Sequence, residues 1–361
     1  MKKIVMAILA HVDAGKTTLG EYMLYRTHAI RTRGTVDGGN THLDLDEEER
    51  ARGITIYSSE ARFSCGETDF TLIDTPGHAD FTPEAVRALA AADCAVLVIS
   101  APAGVQGHTR RLAGILARLG VPTALFVNKT DLPCPPREDI LRALEELGRP
   151  VDFTGFASAV SQGAFPESLR DALALEDDRL LEAFLSDRAD TELCVRAARE
   201  LFGARRILPV LFGAARDGTG CDALLYLLDR LSAPRFVQGA GAGVSGLCYK
   251  VMRDGRGMRL CLCRLASGTL RTRDGVGDGK ISELRCLDGA KSGVLTQAHA
   301  GDLFAAAGLS LRAGEAFGGY AAPPLPVSPA TLCARVTAEI PAKRLLEALR
   351  LLADEEPSMR V

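Results

Sequence analysis

No run of 18 apolar residues occurs anywhere in this 361-residue chain, so no membrane-spanning helix is expected. A secretory leader is not expected either, and the opening run reads as the first strand. MKKIVMAILAHVDAGK opens with two lysines and an apolar run, but the run is short and ends in a glycine-lysine-threonine corner instead of a small-residue cleavage site. The ten cysteines include no C-x-x-C pair. Metal sites and disulfide frameworks use tighter, repeated spacing, so buried free thiols in a reducing cytoplasm are expected. Internal repeats and low-complexity tracts are absent as well, which excludes solenoids and disordered arrays.

What is present is an ordinary globular balance: 47% hydrophobic residues and 25% charged ones. The length suggests two or three domains of ~100–200 residues each. The net charge of −3 is uneven. Residues 1–245 sum to −7 and residues 246–361 to +4, a weak hint that the later part faces an anionic partner such as RNA.

The first 231 residues alternate apolar runs (KIVMAILA, DFTLIDT, CAVLVISA, PTALFVNK, RILPVLF) with helix-like segments at 17–27, 83–91, 107–119, 137–147 and 221–231. Buried parallel strands with crossover helices follow from that alternation. After a Gly/Ala-rich linker at 232–244 the period falls to about two, with Gly and Asp turns, as in a small β-barrel. A proline-rich hinge, AAPPLPVSP, precedes TLCARVTAEI, which reads as a strand, and AKRLLEALRLLADEEP, which reads as a helix. One strand and one helix cannot enclose a core, so the chain is expected to stop inside a third domain. The predicted domains are 1–235 (α/β with a mostly parallel sheet and helices on both faces), 236–325 (β-barrel) and 326–361 (the start of an α+β unit).

Four motifs sit at strand ends in the first domain. Ala10–Thr17 fits a phosphate loop, with Ala in place of the first Gly, followed by Gly15-Lys16-Thr17. Successive backbone N–H groups and the start of the next helix would face a phosphate chain. Lys16 would reach the terminal phosphates, and Thr17 would bind Mg2+. Val12, Asp13, Ala14 and Thr18 complete the loop. The second motif, IDTPGH, would hold Mg2+ through Asp74 and admit a terminal phosphate at Gly77. Alone, Asp-Thr-Pro-Gly is more often a plain turn, but in step with the phosphate loop it is hard to ascribe to chance. The third, VNKTD, suits a purine: Asp131 can accept two N–H bonds from a guanine edge while the Lys129 stem packs on the ring and Asn128 flanks it. Alone, it can equally cap a helix. The fourth, RGIT at 52–55, follows a polar stretch, and Thr55 can complete a Mg2+ shell when a γ-phosphate is present, which makes its loop a switch.

Together these motifs form the pattern of a GTPase. AHVDAGKTT, ERARGITI, DTPGHADF, GVQGHT and FVNKTD resemble the translational GTPases of the elongation factor G superfamily, over the whole chain. HVDAGKTTLGEYMLY, TVDGGNTHLD and LVISAPAGVQGHTRRL are similar to the ribosomal-protection proteins that confer tetracycline resistance. Only 81 residues separate Asp131 from Gly213, which leaves little room for the extra subdomain usual in elongation factor G. The guanine loop is Gly213-Ala214-Ala215 where the family has Ser-Ala, and Pro83 falls in a helix's first turn, where it is tolerated.

The resemblance implies P-loop GTPase, β-barrel and incomplete ferredoxin-like domains, with GTP/GDP and Mg2+ as cofactors. It implies the ribosome, its rRNA and proteins, as partner, or the tetracycline-bound ribosome for a protection factor. His78 would orient the attacking water, with Lys16 and Thr55 completing the catalytic set and Val12 and Ile54 excluding His78 beforehand. Thr17, Thr55 and Asp74 would be the metal ligands. Hydrolysis would relax the loop at 31–56. His11 is expected to be structural, Asp13 to shape the turn or order a cation, and His28, His42, His108 and His299 to be surface or packing residues. The competing readings are an elongation-factor-G-like translocase and a GTP-holding switch module that hydrolyses poorly.

Overall fold

The computed structural model describes residues 1–36, 38–43, 49, 55, 57–186, 188–236, 243–289, 291–325, 333–357, 359 and 361. They form two compact units, one of residues 1–79 with 92–234 and one of residues 80–91 with 235–361.

In the first unit, β1 (Lys2–Ala10) leads into α1 (Lys16–Arg26), and β2 (Ser59–Cys65) turns back into β3 (Thr68–Asp74). After α2 (Thr82–Ala90), which groups with the second unit, come β4 (Cys94–Ser100), α3 (Gly107–Arg118), β5 (Thr123–Asn128) and α4 (Arg137–Leu144). Then follow β6 (Pro150–Asp152), α5 (Phe156–Gln162), α6 (Glu167–Ala174), α7 (Asp178–Leu185), α8 (Thr191–Gly203), β7 (Leu208–Phe212) and α9 (Cys221–Leu231). The sheet order is β2-β3-β1-β4-β5-β7-β6, parallel except at the β2–β3 edge.

β1, β4 and β5 are nearly continuous apolar runs because helices cover both faces of the sheet. A fully buried side chain such as Phe126 holds the layers together, and cutting it to Ala would cost about 3–5 kcal/mol. The register sets Ile8 beside Asp74 and Ser100 beside Asn128. The carboxyl ends of β1, β3, β4 and β5 therefore open along one edge, where β1 lies between β3 and β4, the position at which open α/β sheets bind ligands.

The helices expected at 17–27, 83–91, 107–119, 137–147 and 221–231 are present, the fourth tightening to a 3-10 turn over Glu145–Leu147 before Gly148. Pro83 does lie in the first turn of α2. The interval after Asp131 is mostly helical, and Asp177 and Asp190 cap α7 and α8 by accepting backbone N–H bonds.

The second unit is antiparallel. β8 (Ser245–Arg253), β9 (Arg259–Ser267), β13 (Glu283–Asp288), β14 (Lys291–Leu295), β16 (Leu303–Ala307) and β17 (Ala316–Phe317) form one six-stranded sheet. β10 (Thr269–Arg271) pairs with β15 (Gln297–His299), and β11 (Gly275–Val276) with β12 (Gly279–Lys280). Cys248, Cys261, Cys263, Leu265 and Phe304 lie in its core. Ion pairs join Glu84 of α2 to Lys250 and Arg87 to Glu356, both at 2.7 Å. Asp354, at the end of α10 (Ala342–Glu355), takes Arg253 and Arg259, each at 2.8 Å.

Two expectations need correction. Of the expected strand at 331–340, residues 331 and 332 lie outside the described residues, and 333–340 form no strand and are exposed, with no strand among the described residues offering them a ladder. All ten thiols are free, but Cys134 and Cys333 are exposed, outside the strands and helices, and Cys65 and Cys286 are half-buried, Cys65 at the end of β2 and Cys286 where β13 pairs only with exposed β14. Among the described residues, no helix is long and apolar enough to cross a membrane.

Candidate functional site

The turn from β1 to α1 is shaped by two left-handed residues, Asp13 (φ 62) and Gly15 (φ 94). Gly15 is required on a second ground: a Cβ there would meet Asn128 Nδ2 at 2.3 Å. Asn128, buried at the end of β5, donates from Nδ2 to the Ala14 carbonyl and accepts from the Ala215 N–H through Oδ1, both at 2.8 Å. One amide thus fixes the phosphate loop to the Gly213–Ala215 loop.

Lys16 begins α1 and is 7% exposed. Its ammonium donates to Asp74 Oδ1, to Thr55 Oγ1 at 3.1 Å and to Thr17 Oγ1 at 3.5 Å. Asp74, fully buried, ends β3. The next residue, Thr75, is tied to β1 by a hydroxyl bond to the Ile8 carbonyl at 2.8 Å, which fixes where the Pro76–His78 turn leaves the sheet. Three oxygens, from the first turn of α1, the end of β3 and the segment around Thr55, therefore converge on one cationic nitrogen.

A cleft of ≈ 490 Å3 runs over these groups, lined by Val12, Lys16, Thr17, Thr55, Gly77 and His78 among others. A smaller one of ≈ 260 Å3 continues past Asp13 and Lys129 to Ser100 and Gly104. His78 is half-buried on the same wall as Lys16 and Gly77. No protein atom forbids a Cβ at Gly77; the nearest is the Ala10 carbonyl oxygen at 3.5 Å. Lys129 adopts φ 65, and the Thr130 N–H donates to the Gly213 carbonyl at 3.1 Å. Asp131 is exposed just beyond. A Cβ at Gly213 would lie 2.1 Å from the Thr219 carbonyl oxygen, so this loop leaves β7 with no room for a side chain.

The structure thus gathers Val12, Asp13, Gly15, Lys16, Thr17, Thr18, Thr55, Gly77, His78 and Lys129 on one cleft. Asn128, Ala14 and Ala215 join behind it. Of the 52–56 segment only Thr55 is described; Arg52, Gly53, Ile54 and Ile56 lie outside the described residues, as do 44–48.

Three residues were missed by motif. His108, expected at the surface or in packing, is half-buried on α3 with its ring 6.1 Å from that of His11, at 58°. Burial, then His11, Arg111 and His78, lowers its pKa, which disfavours the charged ring. Neither of its nitrogens has a hydrogen-bond partner among the described residues. Glu21, fully buried on α1, accepts from the N–H groups of Gly34, His42 and Leu43 and lies 3.0 Å from His42 Nδ1. Arg33 reaches the Ala215 and Arg216 carbonyls. An acid amid the apolar face of a helix is a signal that could have pointed to Glu21.

A nucleotide phosphate chain against Gly15–Thr18, with a base toward Asn128–Asp131, is what this edge can hold. The family of elongation factor Tu GTP-binding domains matches residues 1–234, and the chain belongs to that family. Its ligand is accordingly a guanine nucleotide. The chain is 37% identical to an oxytetracycline resistance protein of Streptomyces rimosus, over 99% of this chain and 59% of that protein. It is 34% identical to the tetracycline resistance protein TetW of Butyrivibrio fibrisolvens, over 100% of this chain and 59% of that one. A crystal structure from Thermus thermophilus superimposes with a TM-score of 0.86 at 25% identity, covering 99% of this chain and 61% of that one. The chain spans about three-fifths of the length of these relatives.

Proposed function

We propose that the protein is a ribosome-stimulated GTPase of translation that acts as a ribosomal-protection factor, releasing tetracycline from the ribosome on GTP binding and hydrolysis. The observation that carries the GTPase reading is the convergence of Thr17, Thr55 and Asp74 on the Lys16 ammonium, with His78 on the same cleft wall. The names of the curated relatives support the tetracycline-bound ribosome as partner. In this reading residues 1–235 are the GTPase domain, 236–325 a barrel and 326–361 the start of a further domain.

Two hydroxyls and one carboxylate form a hard oxygen donor set that already surrounds a cation, and this fits Mg2+ completed by phosphate oxygens and water. Thr17, Thr55 and Asp74 would hold it, and when bound it would neutralise charge on the phosphate oxygens. Lys16 binds and orients the terminal phosphates, and the backbone N–H groups of residues 13–18 cradle the chain. His78 orients the attacking water; no arginine finger is needed where positioning and charge do the catalysis. Asn128 holds the two loops around the base, Lys129 packs on it, and Asp131 accepts its N–H edge.

GTP hydrolysis with and without ribosomes tests the first part. Stimulation by ribosomes that disappears in His78→Ala, with GDP affinity retained, is expected; equal hydrolysis by the variant would refute the role of His78. Restored peptide synthesis on tetracycline-inhibited ribosomes tests the second. Support of drug-free synthesis in a system depleted of its elongation factor G, with no rescue from the drug, would show a translocase instead.

A further inference from the structure

The loop that carries Ala214 and Ala215 has no side-chain polar group at either position, so its placement depends on its backbone. Inside the loop, the Ala214 N–H donates to the Thr219 carbonyl at 3.0 Å and the Gly218 N–H to the Ala214 carbonyl at 2.9 Å. Outside it, Ala215 is gripped from both sides. Its N–H goes to Asn128 Oδ1, and its carbonyl accepts from Arg33 Nη2 at 2.7 Å. Arg33 Nη1 donates to the next carbonyl, Arg216, also at 2.7 Å. The guanidinium carbon sits 5.5 Å from the centre of the Tyr22 ring, and that ring lies against the loop so closely that a Cβ at Gly218 would come within 2.3 Å of it.

We propose that Arg33 is a specificity-positioning residue for the base, its guanidinium fixing the Ala214–Arg216 backbone at the position where that loop meets the 6-oxo edge of guanine. The proposal rests on the guanine-nucleotide reading of the cleft. Two successive carbonyls match the planar fork of an arginine, and a lysine can satisfy only part of that geometry. The residue after Arg33 is anchored in turn: the Gly34 N–H donates to buried Glu21 at 2.9 Å. The chain then runs to Val36 in the cleft wall. Arg33 therefore ties the base loop to the segment that borders the phosphates, over 182 residues of sequence.

Equilibrium binding of GDP, IDP and 6-thio-GDP to the whole protein separates this role from simple support. IDP lacks only the 2-amino group, which in the proposed binding mode pairs with Asp131; 6-thio-GDP changes only the 6-oxo oxygen, which in that mode meets the Ala214–Arg216 loop. For Arg33→Leu, GDP affinity should fall about tenfold, as expected when charge-assisted bonds to the loop are removed. The preference for GDP over 6-thio-GDP should shrink toward parity while the preference for GDP over IDP stays. Arg33→Lys should give an intermediate result, and it carries the test if the leucine variant does not fold. Unchanged affinities, or an equal loss for all three nucleotides with both preferences intact, would overturn the proposal. Failure of the unaltered protein to bind GDP would overturn the reading of the cleft itself, and that control is read before any variant.

Discussion

The two units place their charges differently. In the first, the sheet is buried on both faces, and the groups that matter chemically, Lys16, Asp74 and Asn128, gather where the strands end. In the second, charges are spread as pairs between helices and strands, as with Glu84 and Lys250 or Asp354 and Arg259. The first arrangement keeps a few charges out of water, facing a cleft that a ligand can fill. The second holds Glu84 and Lys250 mostly buried but leaves Asp354 and its arginines partly exposed, where a pair contributes less and salt screens it. Substitutions of the same chemical kind should therefore lower ligand affinity in one unit and only trim stability in the other.

The sharpest contrast comes from Lys16→Ala, which should weaken GDP binding about 100-fold, the scale of a buried charge-assisted contact to phosphate. Titration with a fluorescent GDP analogue reads the loss, and circular dichroism should show the fold retained. Glu21→Ala comes next. It strands three buried or half-buried N–H groups and should lower the denaturation free energy by about 2–3 kcal/mol, measured by urea titration. Asp131→Asn should leave stability unchanged and move preference from GTP toward XTP; a retained GTP preference would show that this exposed carboxylate does not read the base. On the other side of the comparison, Asp354→Ala should cost about 1 kcal/mol or less, and the difference should vanish at high salt.

The smallest effect expected is on pH. The His108 pKa is held below its ordinary value by burial and by His11, Arg111 and His78. The neutral ring then favours the folded state above the unfolded pKa, ~6.5, and that advantage is lost as pH falls through the lowered value. His108→Gln should flatten the decline in melting temperature between neutral and mildly acidic pH. An unchanged slope would show that another group sets it.

Much of this fold is legible in the sequence because buried parallel strands are written as unbroken apolar runs, as in CAVLVIS and TALFVN. β2, SEARFSC, is not, because an edge strand exposed on one side mixes polar and apolar residues and pairs antiparallel. The residues at 333–340 show the opposite failure: a strand-like composition with no strand to pair with among the described residues. In the site, spacing alone marks Gly15, Lys16, Asp74 and Asn128, since phosphate and base chemistry demand those types at strand ends. Arg33 and Glu21 escape notice because most of their hydrogen-bond partners are backbone groups, which leave no trace in side-chain identity. His108 escapes because its neighbour His11 lies on a different loop, about a quarter of the chain earlier.

The amide of Asn128 also bears on timing. It joins Ala14, near the start of the chain, to Ala215, which is made 201 residues later. Until residue 215 has been synthesised and β7 has docked beside β5, the Asn128 amide that holds the Ala14 carbonyl lacks its second partner, the Ala215 N–H. Contacts so distant in sequence are closed late in folding, because the entropy of closing the loop must be met first. Acquisition of nucleotide binding would therefore be a marker of the last stage of folding in the first unit, and nascent chains ending before residue 215 should not retain GDP.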